Sequence, residues 1–242
     1  MELARFHFSG KCDNQESTCR AAENLVDEYY SRFRAAMLGA IKEFVKKAAI
    51  GFRVHSGWCV LVTVSLEKGS PNVLSRQHVQ LVETFSYKFR QPYHTAEKMR
   101  VEDAARFISG VRTEAQGLAY RALRTVQLDL EKQGYHLGRG ALLVASGKPL
   151  PELEKILHSH AMIHAADGEL FREALRRSSA RCGLQILCTK ERELLDQCAE
   201  VFSYRPVGLL RRVTELGQRF GSPWTQDEKF ATLAAWLALD HL

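Results

Sequence analysis

The chain has 242 residues, 45% of them hydrophobic and 26% charged, which is globular composition and excludes a largely disordered chain. Its formal net charge of +6 and pI near 9.0 permit contact with nucleic acid or another polyanion without requiring it. No apolar run approaches the roughly 18 residues that cross a bilayer, and Met1 to Gly10 mixes Glu2, Arg5 and His7 with apolar residues rather than reading as a signal peptide. A cytoplasmic location is expected. None of the spacings among Cys12, Cys19, Cys59, Cys182, Cys188 and Cys198 is a CxxC pair, so reduced thiols are expected rather than a zinc knuckle.

In chain order, residues 1–20 are polar and read as a flexible lead-in, with Asp13 and Glu16 spaced as a capping box. Val26, Tyr29, Phe33, Met37, Ala40, Phe44 and Ala48 then recur at gaps of three and four. This spacing predicts an amphipathic helix over 16–49, and the arm it forms (21–56) either docks on the core or mediates dimerisation. Trp58 to Leu66 is apolar on both faces and reads as a central strand opening the sheet. Val73 to Glu83 follows as a second strand. The alternation of Phe85, Tyr87 and Phe89 gives a third, so that three short-linked strands form an antiparallel meander.

Val101 to Leu130 carries the helical apolar spacing and predicts a second long helix. Ala141 to Ala145 is a short buried strand. A helical region over 151–181, broken at Gly168, follows it, then a fifth strand from Leu184 to Cys188. Thr189 is placed to cap the next helix, and two more helices, 206–219 and 226–239, close the chain.

The order of elements over 57–242, β-β-β-α-β-α-β-α, resembles the ribonuclease H-like fold of nucleases, Holliday-junction resolvases and transposases. So does the run from Trp224 to Leu237, where Asp227 precedes an Ala- and Leu-rich helix. The resemblance implies an α/β domain built on a mixed five-stranded sheet (three antiparallel strands, then two further strands) flanked by helices, with the long N-terminal helix outside it. It also implies, in active members, one Asp in the first strand, an acid near the end of the fourth and an acid on the last helix, together holding two divalent metals. Here only Asp227, or Glu228 beside it, matches. The strand taken as the opening one offers Thr63 and Ser65, its nearest acid is Glu67 at its end, and the fourth ends in Ser146. The chain therefore reads as a non-catalytic relative rather than an enzyme, and no cofactor is expected from this set.

Other groups carry chemistry. His160, His164 and Asp167 stand at i, i+4 and i+7 on one helix face and are candidate ligands for a divalent metal. Spread over about 10 Å of helix, they cannot all reach one ion, so any remaining ligand has to come from His78, His94 or Asp227. Ser146-Gly147-Lys148 between strand and helix is a weak phosphate cradle, since Pro149 and Pro151 remove two donors. Two basic runs, one with Arg172, Arg176 and Arg177 and one with Arg211 and Arg212, are candidate contacts to nucleic acid. The leading reading is a protein that binds nucleic acid or a protein partner through these helices, with no membrane association. Its alternative is a metal-dependent hydrolase using a His/Asp site of His160, His164 and Asp227, with His164, Asp227 and Glu67 as the catalytic candidates.

Overall fold

The computed structural model describes residues 46–145 and 149–240. The expected lead-in, the expected helical arm as far as residue 45, and Ser146-Gly147-Lys148 lie outside the described residues.

Five strands form one mixed sheet in the order β3-β2-β1-β4-β5: β1 (Lys46–His55), β2 (Trp58–Glu67), β3 (Ser70–Gln80), β4 (Tyr135–Val144) and β5 (Gln185–Lys190). β1 and β2, and then β2 and β3, pair antiparallel, whereas β4 lies parallel to β1 and β5 parallel to β4. This is the ribonuclease H-like arrangement. Ser56-Gly57 joins β1 to β2. Lys68 and Gly69 join β2 to β3 with φ of 51° and 77°, the double positive φ of a tight hairpin turn.

The expected strand count is right, but two members differ. Among the described residues the opening strand is β1, not Trp58 to Leu66, so residues 46–55 do not belong to the expected helical arm. Ala48 and Ala49 read as the end of the helix, and like Gly51 they are poor strand formers. The structure uses their small size: a Cβ on Gly51 would lie 1.8 Å from the carbonyl oxygen of Ala231 on the helix packed across the sheet. The second difference is at Phe85, Tyr87 and Phe89. These do not form a strand, because Ser86 O accepts hydrogen bonds from Phe89 and Arg90 N–H and winds the helical turn α1 (Tyr87–Arg90). Phe85 and Tyr87 remain exposed, so their alternation has no layer on which to bury an apolar face.

The helices that follow are α2 (Pro92–Ala96), α3 (Val101–Lys132), α4 (Leu153–Leu157), α5 (His160–Arg181), α6 (Leu194–Phe202), α7 (Pro206–Gly217) and α8 (Gln226–Asp240). α5 runs unbroken through Gly168, and the break comes earlier, at His158 and Ser159. Thr189 belongs to β5, and a single 3-10 turn, Glu191–Glu193, leads into α6.

Alternation along β1 separates two cores. Ala48, Ile50 and Phe52 face α3 and α5, packing with Ile108, Ala115, Leu123, Ile163, Leu170 and Phe171. Ala49 faces α6, α7 and α8, with Val60, Val62, Leu143, Leu209, Leu233 and Ala234. α8 is buried from Phe230 to Leu239, as expected of a helix that is apolar all round. The three-layer arrangement brings the C-terminal ends of parallel β1 and β4 to the N-terminal end of α8. Among the described residues no helix is long and apolar enough to cross a membrane.

Candidate functional site

Ligands in open α/β sheets gather at the carboxyl ends of parallel strands. At that end of β1 stands Arg53, whose side chain is 15% exposed. Its Nη2 donates to Glu191 Oε1 at 2.7 Å, and its Nη1 donates to Asp227 Oδ1 at the start of α8. The guanidinium lies over the Phe230 ring, 5.2 Å from its centroid. Its Nε is buried and has no hydrogen-bond partner among the described residues. A cavity of about 630 Å³ opens alongside, lined by Val54, Leu143, Arg172, Glu191, Arg192 and Phe230.

The first turn of α8 is fixed from two sides. Thr225 and Glu228 form a capping box: Asp227 N–H donates to Thr225 Oγ1 at 3.2 Å, while Glu228 Oε2 accepts from Thr225 N–H at 2.7 Å and from its hydroxyl at 2.6 Å. His78 Nε2 on β3 meets Glu228 Oε1 at 2.7 Å, and His55 Nε2 lies 3.1 Å from Asp227 Oδ1. The Trp58 ring is stacked between the two imidazoles, with centroids 4.3 Å from His55 and 5.5 Å from His78. Burial works to raise the pKa of Glu228, but the hydrogen bonds from Thr225 and His78 outweigh it and hold the carboxyl below its ordinary value.

Among the described residues the acids that would cage two metal ions are not assembled here. β1 (KKAAIGFRVH) and β4 (YHLGRGALLV) contain no Asp or Glu. Glu67 lies at the opposite end of the sheet: Ser65 pairs with Ala48 near the start of β1, whereas Arg53 pairs with Val60. Glu67 accepts instead from Asn72 Nδ2 at 2.5 Å. The two carboxylates that do meet, Asp227 and Glu191, meet across a guanidinium. This set does not fit a two-metal centre.

A second cluster lies on α2 and α5, on the other face of the sheet from α8. His160 opens α5 and His164 follows one turn later, their Nε2 atoms 3.1 Å apart. His94 on α2 completes the group: its ring centroid is 4.3 Å from that of His164 and 5.3 Å from that of His160. One ring nitrogen from each of the three lies within 4.8 Å of the others. Asp167, one turn beyond His164 and only 3% exposed, points inward. Its Oδ1 accepts the Tyr93 N–H at 2.8 Å, which satisfies a free donor in the first turn of α2, and its Oδ2 bonds His94 Nδ1. Burial pushes the Asp167 carboxyl above its ordinary range, against the hydrogen bonds from His94 and Tyr93. The i, i+4 spacing of His160 and His164 is legible in the sequence, but the partnership of His94, 66 residues before His160, is a tertiary fact. Asp227 takes no part in this cluster.

The candidate nucleic-acid contacts divide between the two faces. On α5, Arg172 donates to Glu169 at 2.8 Å, Arg176 pairs with Glu169 and Glu173, and Arg177 donates to Glu173 at 2.7 Å. On α7, Arg211 and Arg212 lie 3.1 and 3.8 Å from Glu215. Of these five, Arg172 borders the strand-end cavity. Arg53 is not among the sequence candidates because it lies within the segment expected to be the arm. The alternation of Ile50, Phe52 and Val54 before Ser56-Gly57 is the signal that marks its strand.

No family model and no curated protein matches the chain. Among solved structures it is similar to RuvC of T. thermophilus in complex with a Holliday junction substrate, with a TM-score of 0.45 and 9% identity over 79% of this chain and 91% of that one. A structure of Thermus thermophilus RuvC gives 0.44 and 9%, over 78% of this chain and 92% of that one. A Ppx/GppA family member from Aquifex aeolicus gives 0.32 and 12%, over 66% and 40%. The fold assignment rests on strand order and pairing.

Proposed function

We propose that this protein is a non-cleaving ribonuclease H-like module that binds nucleic acid at the carboxyl ends of β1 and β4. The observation that carries the reading is Arg53 held between Asp227 and Glu191. A fixed guanidinium occupies the place where metal-dependent members of this fold need cations among carboxylates, so no metal-bound water is generated there. Beside this pair lies a cavity that Arg172 and Arg192 border, together with Glu191 and Phe230, which both contact the Arg53 guanidinium. Arginine suits phosphate because its planar fork donates two parallel hydrogen bonds. Val54, Leu143 and Phe230 supply apolar walls for the remainder of the ligand.

The test is a mobility shift with labelled single-stranded, duplex and four-way DNA. Binding at about 50 mM salt that weakens steeply by about 200 mM supports the reading. Absence of a shift at the lower salt removes it. Arg172→Ala and Arg192→Ala should each weaken the complex several-fold without altering the fold.

A second reading, metal-dependent hydrolysis, is favoured by a separate observation, the meeting of His94, His160 and His164. It differs in outcome. Hydrolysis would require an added transition metal, vanish in His164→Ala and survive in Arg53→Met.

A further inference from the structure

We propose that His94, His160 and His164 hold one divalent late first-row transition-metal ion, zinc first, and that Asp167 is the positioning residue that aims the His94 ring. The inference rests on the histidine geometry alone and stands whether or not the strand-end cavity binds nucleic acid.

Four observations carry it. The donor atoms converge: one nitrogen from each ring lies within 4.8 Å of the others, from two helices with no sequence proximity. The Nε2 atoms of His160 and His164 are 3.1 Å apart, near the roughly 3.4 Å edge of a tetrahedron with bonds of about 2.1 Å. Next, Asp167 commits Nδ1 of His94 and leaves its Nε2 as the coordinating atom, the carboxylate–imidazole–metal relay that fixes both ring orientation and tautomer. Asp167 is itself buried and anchored by the Tyr93 N–H, so the relay is built into the contact between α2 and α5. Finally, all three donors are imidazoles, which suit Zn²⁺, Cu²⁺ and Ni²⁺ rather than the oxygen-seeking Mg²⁺ and Ca²⁺. His160 and His164 are exposed, so a three-histidine site keeps a coordination position open to water.

Packing alone accounts for Asp167, which would serve the first turn of α2 in any case. It does not account for two further imidazoles turned toward the same point, where the hydrogen bond between His160 and His164 satisfies only one nitrogen of each.

The experiment is titration of the full chain with Co²⁺, read by its visible d–d bands, followed by Zn²⁺ competition against a chromophoric chelator. One ion per chain with the intense bands of a four-coordinate site is expected. His160→Ala and His164→Ala, both at exposed positions, should each lose at least tenfold in affinity. Asp167→Asn should keep the stoichiometry and lose about 10- to 100-fold. His158→Ala is the control, since that ring bonds Glu154 O and stands outside the cluster. Metal uptake well below one ion per chain, or uptake equally tight in folded His160→Ala and His164→Ala, overturns the assignment.

Discussion

Arg53 and Glu228 show how single side chains fix the ligand end of the sheet. Arg53 joins β1 to the start of α8 and to the turn after β5. Replacing it with Met leaves two partly buried carboxylates without their donor. Loss of charge-assisted hydrogen bonds of this kind costs about 2 kcal/mol, read as a lower urea midpoint. The loss should shrink in Arg53→Met combined with Asp227→Asn, because one of the two orphaned charges is then removed as well. Glu228 adds a pH dependence. Its folded pKa lies below the unfolded value, so its stabilisation is complete above the ordinary carboxylate value of about 4.3 and is lost as pH falls through the lowered folded value. Asp167 acts with the opposite sign, since its raised pKa makes the folded state gain as that carboxyl is protonated. Urea midpoints measured down the acid limb should therefore fall less steeply for Glu228→Gln than for the parent protein. Equal slopes would remove the capping box and His78 as the cause.

At the level of elements, β1 and α8 define each other. Gly51 allows the backbone of α8 to lie directly on the strand, and Gly51→Ala has no flexible side chain to displace, only the Ala231 carbonyl and the Ala235 N–H. Overpacking of this kind costs about 3 kcal/mol, observable as a lower thermal midpoint. The same small residues concealed the strand. Ala48 completes an apolar helical stripe that begins at Val26, and local spacing alone does not distinguish a helix end from a strand that needs small side chains beneath a helix. Phe85, Tyr87 and Phe89 failed for the converse reason, an alternating pattern with no layer to cover it. The long helix α3 and the closing helix α8 were legible because extended periodicity or continuous apolar character leaves few other conformations.

Across the whole molecule, element order was enough to reach the fold even with one strand missed and another supernumerary, because β1 replaces Phe85–Phe89 without changing the mixed five-stranded result. β1 contains no acid either, so the shortage of carboxylates does not depend on which strand opens the sheet. The sites were less legible. The sequence supplies Asp227, His160 and His164, but Arg53 with Glu191, and His94 with Asp167, are pairings that only the packed layers create. The central claim is that a guanidinium, not a pair of cations, organises the strand ends. Its most direct test is incubation of labelled DNA with the protein and Mg²⁺ or Mn²⁺, under conditions where a complex forms. The account predicts bound DNA recovered at full length. Metal-dependent strand cleavage that is abolished by Asp227→Asn would contradict it.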